Sequence, residues 1–370
     1  MAMETLNPCD PAPWRDARAM RGLLDKIAAR VSRPWSIMEV CGGQTWTLSR
    51  YRLETLLPPE VRMIHGPGCP VCVTPAEVVD AAVTIAMRPE VILCSFGDML
   101  RVPGTSGSLL RAKAGGADVR LLYTPLEALT IARDNPARQV VFLAIGFETT
   151  TPVYALLLEK ARKLGVENLS VITSLFTVPP AVEALRADPD CRIDALLAAG
   201  HVCAVTGLEP YHDLARSLEM PVVVTGFEPV DMLLGILRAV EMLEDGASGV
   251  DNAYGRVVSH DGAVAARQAV ERVFEPTDNL WRGLGLIPRG GMKLRPDFEQ
   301  FDALKRFNVS TPVSAVASPS KVCRAHLIMK GLEQPADCPC FGRQCTPDNP
   351  VGAPMVSAEG VCAAHYRYNN

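Results

Sequence analysis

Two cysteines two residues apart, Cys69 and Cys72, close the segment His65-Gly-Pro-Gly-Cys-Pro-Val-Cys72. Thiols at that spacing form a small disulfide ring and release it again, so they exchange electrons in pairs. Gly66, Pro67, Gly68 and Pro70 fix the turn that holds them. The alternative is half of a zinc site, completed by His65, Cys41 or Cys94. The setting differs from thioredoxin, whose motif has an aromatic residue before the first cysteine and opens a helix; here glycine precedes Cys69. A third thiol, Cys41, is followed by Gly42 and Gly43, which leave it open to a bulky ligand. It suits a nucleophile or a soft metal ligand, with an ordinary core cysteine as the plainer alternative.

The last fifty residues carry a second group. Cys323, Cys338, Cys345 and Cys362 are separated by fourteen, six and sixteen residues. Four thiolates in a loop-rich segment enclose either a tetrahedral zinc ion or a cubane iron–sulfur cluster. Zinc ribbons bring their ligands in close C-x2-C pairs, and this tail has none. Cys340 stands one residue from Cys338, which makes joint ligation of one ion awkward, so it reads as a bystander. Cys9, Cys191 and Cys203 are scattered and read as ordinary thiols.

Twelve cysteines would mean disulfides in a secreted chain, but the start, Met-Ala-Met-Glu-Thr-Leu-Asn-Pro, lacks the basic and apolar regions of a signal peptide. No apolar run reaches the roughly 18 residues that span a bilayer. A cytoplasmic location, with metal or redox chemistry, follows as the expectation. The formal net charge of −4 and the low aromatic content give no reason to expect nucleic acid or an anionic membrane as partner.

The elements that must place these thiols are legible between residues 35 and 275. β-rich apolar runs at Trp35–Val40, Val61–His65, Val91–Ser95, Val119–Tyr123, Val140–Ile145, Leu169–Ser174, Ala195–Ala199 and Val222–Thr225 alternate with helical periodicity, most clearly at Ala76–Met87, Val153–Leu164 and Val230–Glu244. Alternation of this kind predicts βαβ units and an α/β fold with mainly parallel sheets, whose ligands bind beyond the carboxyl ends of strands. Gly-Phe-Glu recurs at residues 146–148 and 226–228, hinting at two related Rossmann-like domains. The expected organisation is an N-terminal helical segment (1–34), a first α/β domain (35–135), a second (136–275, the halves free to interleave) and a cysteine-rich domain (276–370). Neither a G-x-x-x-x-G-K-[ST] loop nor a G-x-G-x-x-G fingerprint is present, so nucleotide hydrolysis is expected in partners.

Cys41-Gly-Gly-Gln-Thr, Gly66-Pro-Gly-Cys-Pro-Val-Cys72, Gly146-Phe-Glu-Thr-Thr-Thr-Pro152, Gly200-His201 and the four-cysteine tail, in this order, resemble the HypD family of [NiFe]-hydrogenase maturation iron–sulfur proteins. The resemblance covers residues 35–366. It implies a scaffold on which Fe(II) acquires cyanide and carbon monoxide, working with a HypC-type small chaperone and receiving cyanide from the HypE–HypF pair. By position, it implies that Cys41 holds the nascent iron, that Cys69 and Cys72 are the redox-active dithiol, and that Thr149, Thr150 and His201 line the same cleft. It further implies that Cys323, Cys338, Cys345 and Cys362 ligate a [4Fe–4S] cluster and that Glu359 faces the active region. The competing reading is a stand-alone thiol–disulfide oxidoreductase containing a cluster, but such an enzyme has no use for the separate Cys41 loop.

Overall fold

The computed structural model describes residues 11–311 and 322–368. Its strands are β1 (Trp35–Glu39), β2 (Val61–His65), β3 (Val91–Ser95), β4 (Val119–Leu121), β5 (Gln139–Gly146), β6 (Leu169–Phe176), β7 (Ala195–Ala199), β8 (Pro221–Thr225), β9 (Gly249–Asn252), β10 (Phe274–Trp281) and β11 (Gly285–Leu294). They form two sheets. One has the order β2-β1-β7-β8-β9 and is wholly parallel; the other has the order β10-β11-β6-β5-β3-β4. In the second, β4, β3, β5 and β6 are parallel, and the β10–β11 hairpin joins antiparallel through β11 and β6.

Strands β3, β7 and β8 are buried along their whole length, as befits parallel strands covered on both faces. The helices fall where the 3.6-residue period places them, at Ala76–Ala86, Thr151–Lys163 and Pro229–Glu244. Pro229–Glu244 starts with proline at its first turn and a reciprocal capping pair, Glu228 and Asp231. It covers the first sheet and packs against the N-terminal helix Ala17–Arg30 in one apolar cluster with β1, β7 and β8.

The division of the chain into successive α/β stretches at residue 135 does not coincide with the sheets. The chain builds β1 and β2 in the first sheet, crosses to the second for β3 to β6, and returns for β7 to β9. It then crosses once more to add the hairpin. The stretch after residue 276, expected to belong to a cysteine-rich domain, thus begins with the edge of a sheet. A bulge between Thr277 and Asn279 and a left-handed Arg289 (φ +53°) accommodate its prolines and glycines. Trp281, fully buried, packs against Phe147 and Phe176 and donates its indole N–H to the Gly290 carbonyl. This core also contains Met38, Val40 and Cys41, so the sheets share it, with their carboxyl-end loops converging there.

Candidate redox and metal site

Cys41 follows β1 and caps the helix Gly42–Arg50. Its extended backbone turns the thiol back onto that helix, where Sγ accepts the Gly43 N–H at 3.4 Å. Cys69 follows β2 and plays the same part for Pro70–Val73, accepting the Cys72 N–H at 3.3 Å. The two loops lie directly on each other. A Cβ on Gly68 would stand 2.2 Å from the Cys41 nitrogen, and Gly42 N–H donates to the Gly68 carbonyl at 3.1 Å. Glycine at 68 is therefore required by close approach of two backbones.

His201, at the end of β7, brings Nδ1 to 3.8 Å and Nε2 to 3.9 Å from the Cys41 sulfur. Burial lowers its pKa to about 4, so the ring is neutral at physiological pH. Phe227, in the loop after β8, packs against it with ring centroids 4.9 Å apart and planes tilted by 50°, and touches the space above Gly43. Burial raises the Cys41 thiol far above its usual range. Cys72 moves the same way, through burial first and its Cys69 neighbour second. Both are protonated thiols, so ligating a metal or forming a disulfide would release their protons.

Beneath the Cys41 loop lies a buried acid–base row. Glu39, fully buried near the end of β1, accepts the Cys41 N–H at 2.8 Å and the Thr45 hydroxyl. Its other neighbour is His65, whose Nδ1 lies 2.7 Å from Glu39 and whose Nε2 lies 2.8 Å from Glu54. Burial works against a charge on His65, but Glu54 and then Glu39 outweigh it and raise the pKa to about 10. Both ring nitrogens are engaged, so His65 is an imidazolium clamp. The zinc reading that enlisted His65 does not fit this arrangement, and Cys94, fully buried within β3, stands in the other sheet. Glu39 was missed from sequence, although a carboxylate inside the apolar run Trp-Ser-Ile-Met-Glu-Val is the signal that marks it.

Thr149 and Thr150 follow β5 in the second sheet. The Thr150 hydroxyl donates to the Phe147 carbonyl at 3.1 Å, as does buried Thr151 at 3.0 Å, so both stabilise the Gly146 turn. No hydrogen bond among the described residues ties Thr149 or Thr150 to Cys41. The neighbouring Glu148 accepts the Val178 N–H at 2.8 Å, and burial raises its carboxyl to about 7.

The tail does not stand apart from these loops. A Cβ on Gly42 would meet the Glu359 Cβ at 2.4 Å, and a small cavity is shared by Cys69, Cys72, Met329 and Glu359. Cys323, Cys338, Cys345 and Cys362 line one cavity, together with Cys340 and the apolar Ile328, Val351 and Met355. Among the described residues no three His, Cys, Asp or Glu side chains gather at single-ion distances. The donor chemistry suits an iron–sulfur cluster: soft thiols, no carboxylate in the wall, and a Val351 N–H donating to the Cys345 sulfur at 3.3 Å. Burial raises the Cys323 thiol to about 11 and holds the Cys362 thiol well above its usual range, so ligation would displace protons here too. Cys340 differs, because its thiol donates to the Val322 carbonyl at 3.6 Å. Cys191 donates to the Lys330 carbonyl and Cys203 is sealed in the core; Cys9 lies outside the described residues.

No described helix is long and apolar enough to cross a membrane. The family model described as "HypD: Hydrogenase formation hypA family" matches residues 18–369. The chain is 46% identical over 365 residues to the hydrogenase maturation factor HypD of Rhizobium leguminosarum bv. viciae, covering 96% of this chain and 94% of that protein. It is 44% identical over 355 residues to the hydrogenase maturation factor HypD of Escherichia coli K12, covering 94% and 93%. To that of Cupriavidus necator it is 44% identical over 361 residues, covering 94% of each. With the motif loops assembled at the strand ends and similarity running almost end to end, the chain belongs to the HypD family of hydrogenase maturation factors.

Proposed function

We propose that the chain is a cytoplasmic scaffold on which iron, carried as cargo, receives the cyanide and carbon monoxide ligands of the [NiFe]-hydrogenase centre. The observation that carries this reading is the direct stacking of the Cys41 loop on the Cys69/Cys72 loop through Gly68. Cys41 holds Fe(II) as a thiolate, shared with a cysteine of a HypC-type chaperone, and soft sulfur suits the low-spin ion that strong-field ligands favour. His201, neutral and beside the sulfur, orients it. The HypE–HypF pair presents cyanide as a thiocyanate. Releasing it breaks the S–CN bond, consumes two electrons and returns a thiol. Cys69 and Cys72 supply both electrons and become a disulfide; one of their protons goes to the returned thiol, and the other is released as cyanide binds the iron as an anion. Held by Cys323, Cys338, Cys345 and Cys362, a [4Fe–4S] cluster would supply electrons singly. Thr149, Thr150 and Glu359 complete the cleft, Thr150 by shaping its turn and Glu359 by closing over Gly42.

The test is infrared spectroscopy of the complex purified with the other maturation proteins. Wild type is expected to show cyanide and carbon monoxide bands, and Cys41→Ser to lose them. Cys69→Ser or Cys72→Ser is expected to retain iron yet stall at cyanide loading. Peptide mapping after oxidation should find Cys69 joined to Cys72. A disulfide from Cys41 to either would overturn this division of roles.

A further inference from the structure

A cavity of about 510 Å³, lined by both Cys72 and Cys323, lies between the dithiol and the cysteine tail. Its volume is that of a site for a small organic molecule. Cys69 does not reach it. The two thiols therefore differ in access: Cys72 lines both this cavity and the small space under Glu359, whereas Cys69 lines only the small space.

Two charged side chains, Arg282 and Glu77, also line the cavity. Arg282 donates Nε to the Thr74 carbonyl at 2.6 Å and Nη2 to the Pro103 carbonyl at 2.9 Å. Its Nη1 has no hydrogen bond, and the guanidinium no carboxylate partner within ion-pair distance, among the described residues. Glu77 likewise has no ion pair or hydrogen bond to its carboxylate among them, yet lines the cavity with Arg282. A guanidinium and a carboxylate that line one cavity, near each other but beyond ion-pair distance, match a ligand bearing a carboxylate and an ammonium group.

We propose that this cavity admits a small zwitterionic thiol, of amino-acid to tripeptide size, that resets the oxidised dithiol through Cys72. The inference rests on the dithiol reading above. The thiolate attacks the Cys72 sulfur, the Cys69–Cys72 bond breaks, and a mixed disulfide forms on Cys72. Cys69 leaves with the electron pair, steadied by the Cys72 N–H at 3.3 Å, and is protonated. A second thiolate attacks the ligand sulfur, releasing Cys72 and a small-molecule disulfide. Two thiols are oxidised and one protein disulfide is reduced.

The experiment compares cysteine, 3-mercaptopropionate, cysteamine and mercaptoethanol as reductants of the oxidised full chain, with rates expressed per thiolate. Cysteine is expected to be about tenfold faster than mercaptoethanol, the scale of one charge-assisted hydrogen bond. Glu77→Gln should bring cysteine down to the rate of mercaptopropionate, and Arg282→Gln to that of cysteamine. Equal rates for all four thiols in wild type overturn the proposal. Because Arg282 also braces the loop at Thr74, Glu77→Gln alone decides the charge question if Arg282→Gln does not fold. In a second arm, glutathione disulfide should form an adduct on Cys72 of Cys69→Ser at least tenfold faster than on Cys69 of Cys72→Ser. Equal capture overturns the access argument. Neither arm reads cyanide loading, so infrared bands that survive both serine substitutions would refute the electron-donor role separately.

Discussion

The thiols of Cys41 and Cys69 and the thiols of the tail are placed by different means. Cys41 and Cys69 each follow a parallel strand in register, β1 between β2 and β7 and β2 against β1 at the sheet edge, and each caps the helix that comes next. Their positions are set by backbone ladders that need no ligand. Residues 322–368 contribute no ladder strand, only short helical turns, one isolated bridge between Phe341 and Cys345, and the helix Val361–Tyr368. Their apolar cluster consists of Ile328, Met355, Val361 and Ala363 together with Cys338, Cys340, Cys345 and Cys362. Cysteines form half of that core. With thiols making up so much of that cluster, a metal bound by them would become part of what holds the tail together.

The largest effect should therefore follow from removing a tail ligand. On the proposed reading, anaerobic protein is brown with about four iron and four sulfide per chain. Cys345→Ala should lose the colour, and limited proteolysis should then cut beyond Val322 while residues 11–311 survive as a resistant core. A colourless variant whose tail stays as resistant as wild type would break the contrast.

Next comes the ladder-built region, attacked through its buried charge. Replacing His65 by Gln leaves Glu39 buried without its cation, and breaking such a pair costs roughly 3–5 kcal/mol. His65 is raised in the folded state from its usual value near 6.5 to about 10. Its contribution is full below pH 6.5 and is lost as pH rises through 10. The denaturant midpoint gap between wild type and His65→Gln should therefore be widest near pH 6 and close toward pH 10. A gap that widened with pH would mean that His65 is neutral in the fold.

Smaller, and aimed at the joint between the two regions, are the glycine substitutions. In Gly68→Ala the new Cβ meets main chain at Cys41, which cannot yield, and overpacking of this kind costs about 1–3 kcal/mol. Gly42→Ala meets Glu359 on the tail instead. It should cost less in global stability, yet speed alkylation of Cys69 and Cys72 by lifting the tail from their shared cavity. If Gly42→Ala left alkylation unchanged, Glu359 would not be the cover that this contact makes it.

Much of the sheet-built region was legible in the sequence, and the reason is periodicity. Strands such as Val61–His65 and Val91–Ser95 are short apolar runs that follow a proline-containing turn and run into a glycine-containing one, and both lie where the pattern puts them. The hairpin Phe274–Leu294 was not legible, because Pro276, Pro288 and a run of glycines resemble loop, and pairing through a bulge at a sheet edge leaves no clean alternation. The crossing of the chain between sheets was hidden as well, since partners such as Ile37 and Ala195 meet across long sequence separations. Within the site, cysteine and glycine spacing exposed the three loops. It could not expose Glu39, Glu54 or Arg282, whose meaning lies in what they face across the fold.

The smallest effect should come from Cys340. It lines the same cavity as the four candidate ligands and is at least as buried as any of them, so proximity alone does not exclude it. The difference is in its hydrogen bond. A thiol donating to the Val322 carbonyl keeps its proton, whereas the Cys345 sulfur accepts an N–H from Val351 and so is arranged to carry negative charge. Cys340→Ala deletes one weak hydrogen bond and one small apolar group, a loss of about 1 kcal/mol. The protein should stay brown, keep its iron and sulfide, and resist protease at the tail as wild type does. Cys340→Ala and Cys345→Ala thus remove the same atom types from the same cavity with opposite expected outcomes. Loss of colour in both would show that the cavity holds its metal through a different set of four sulfurs.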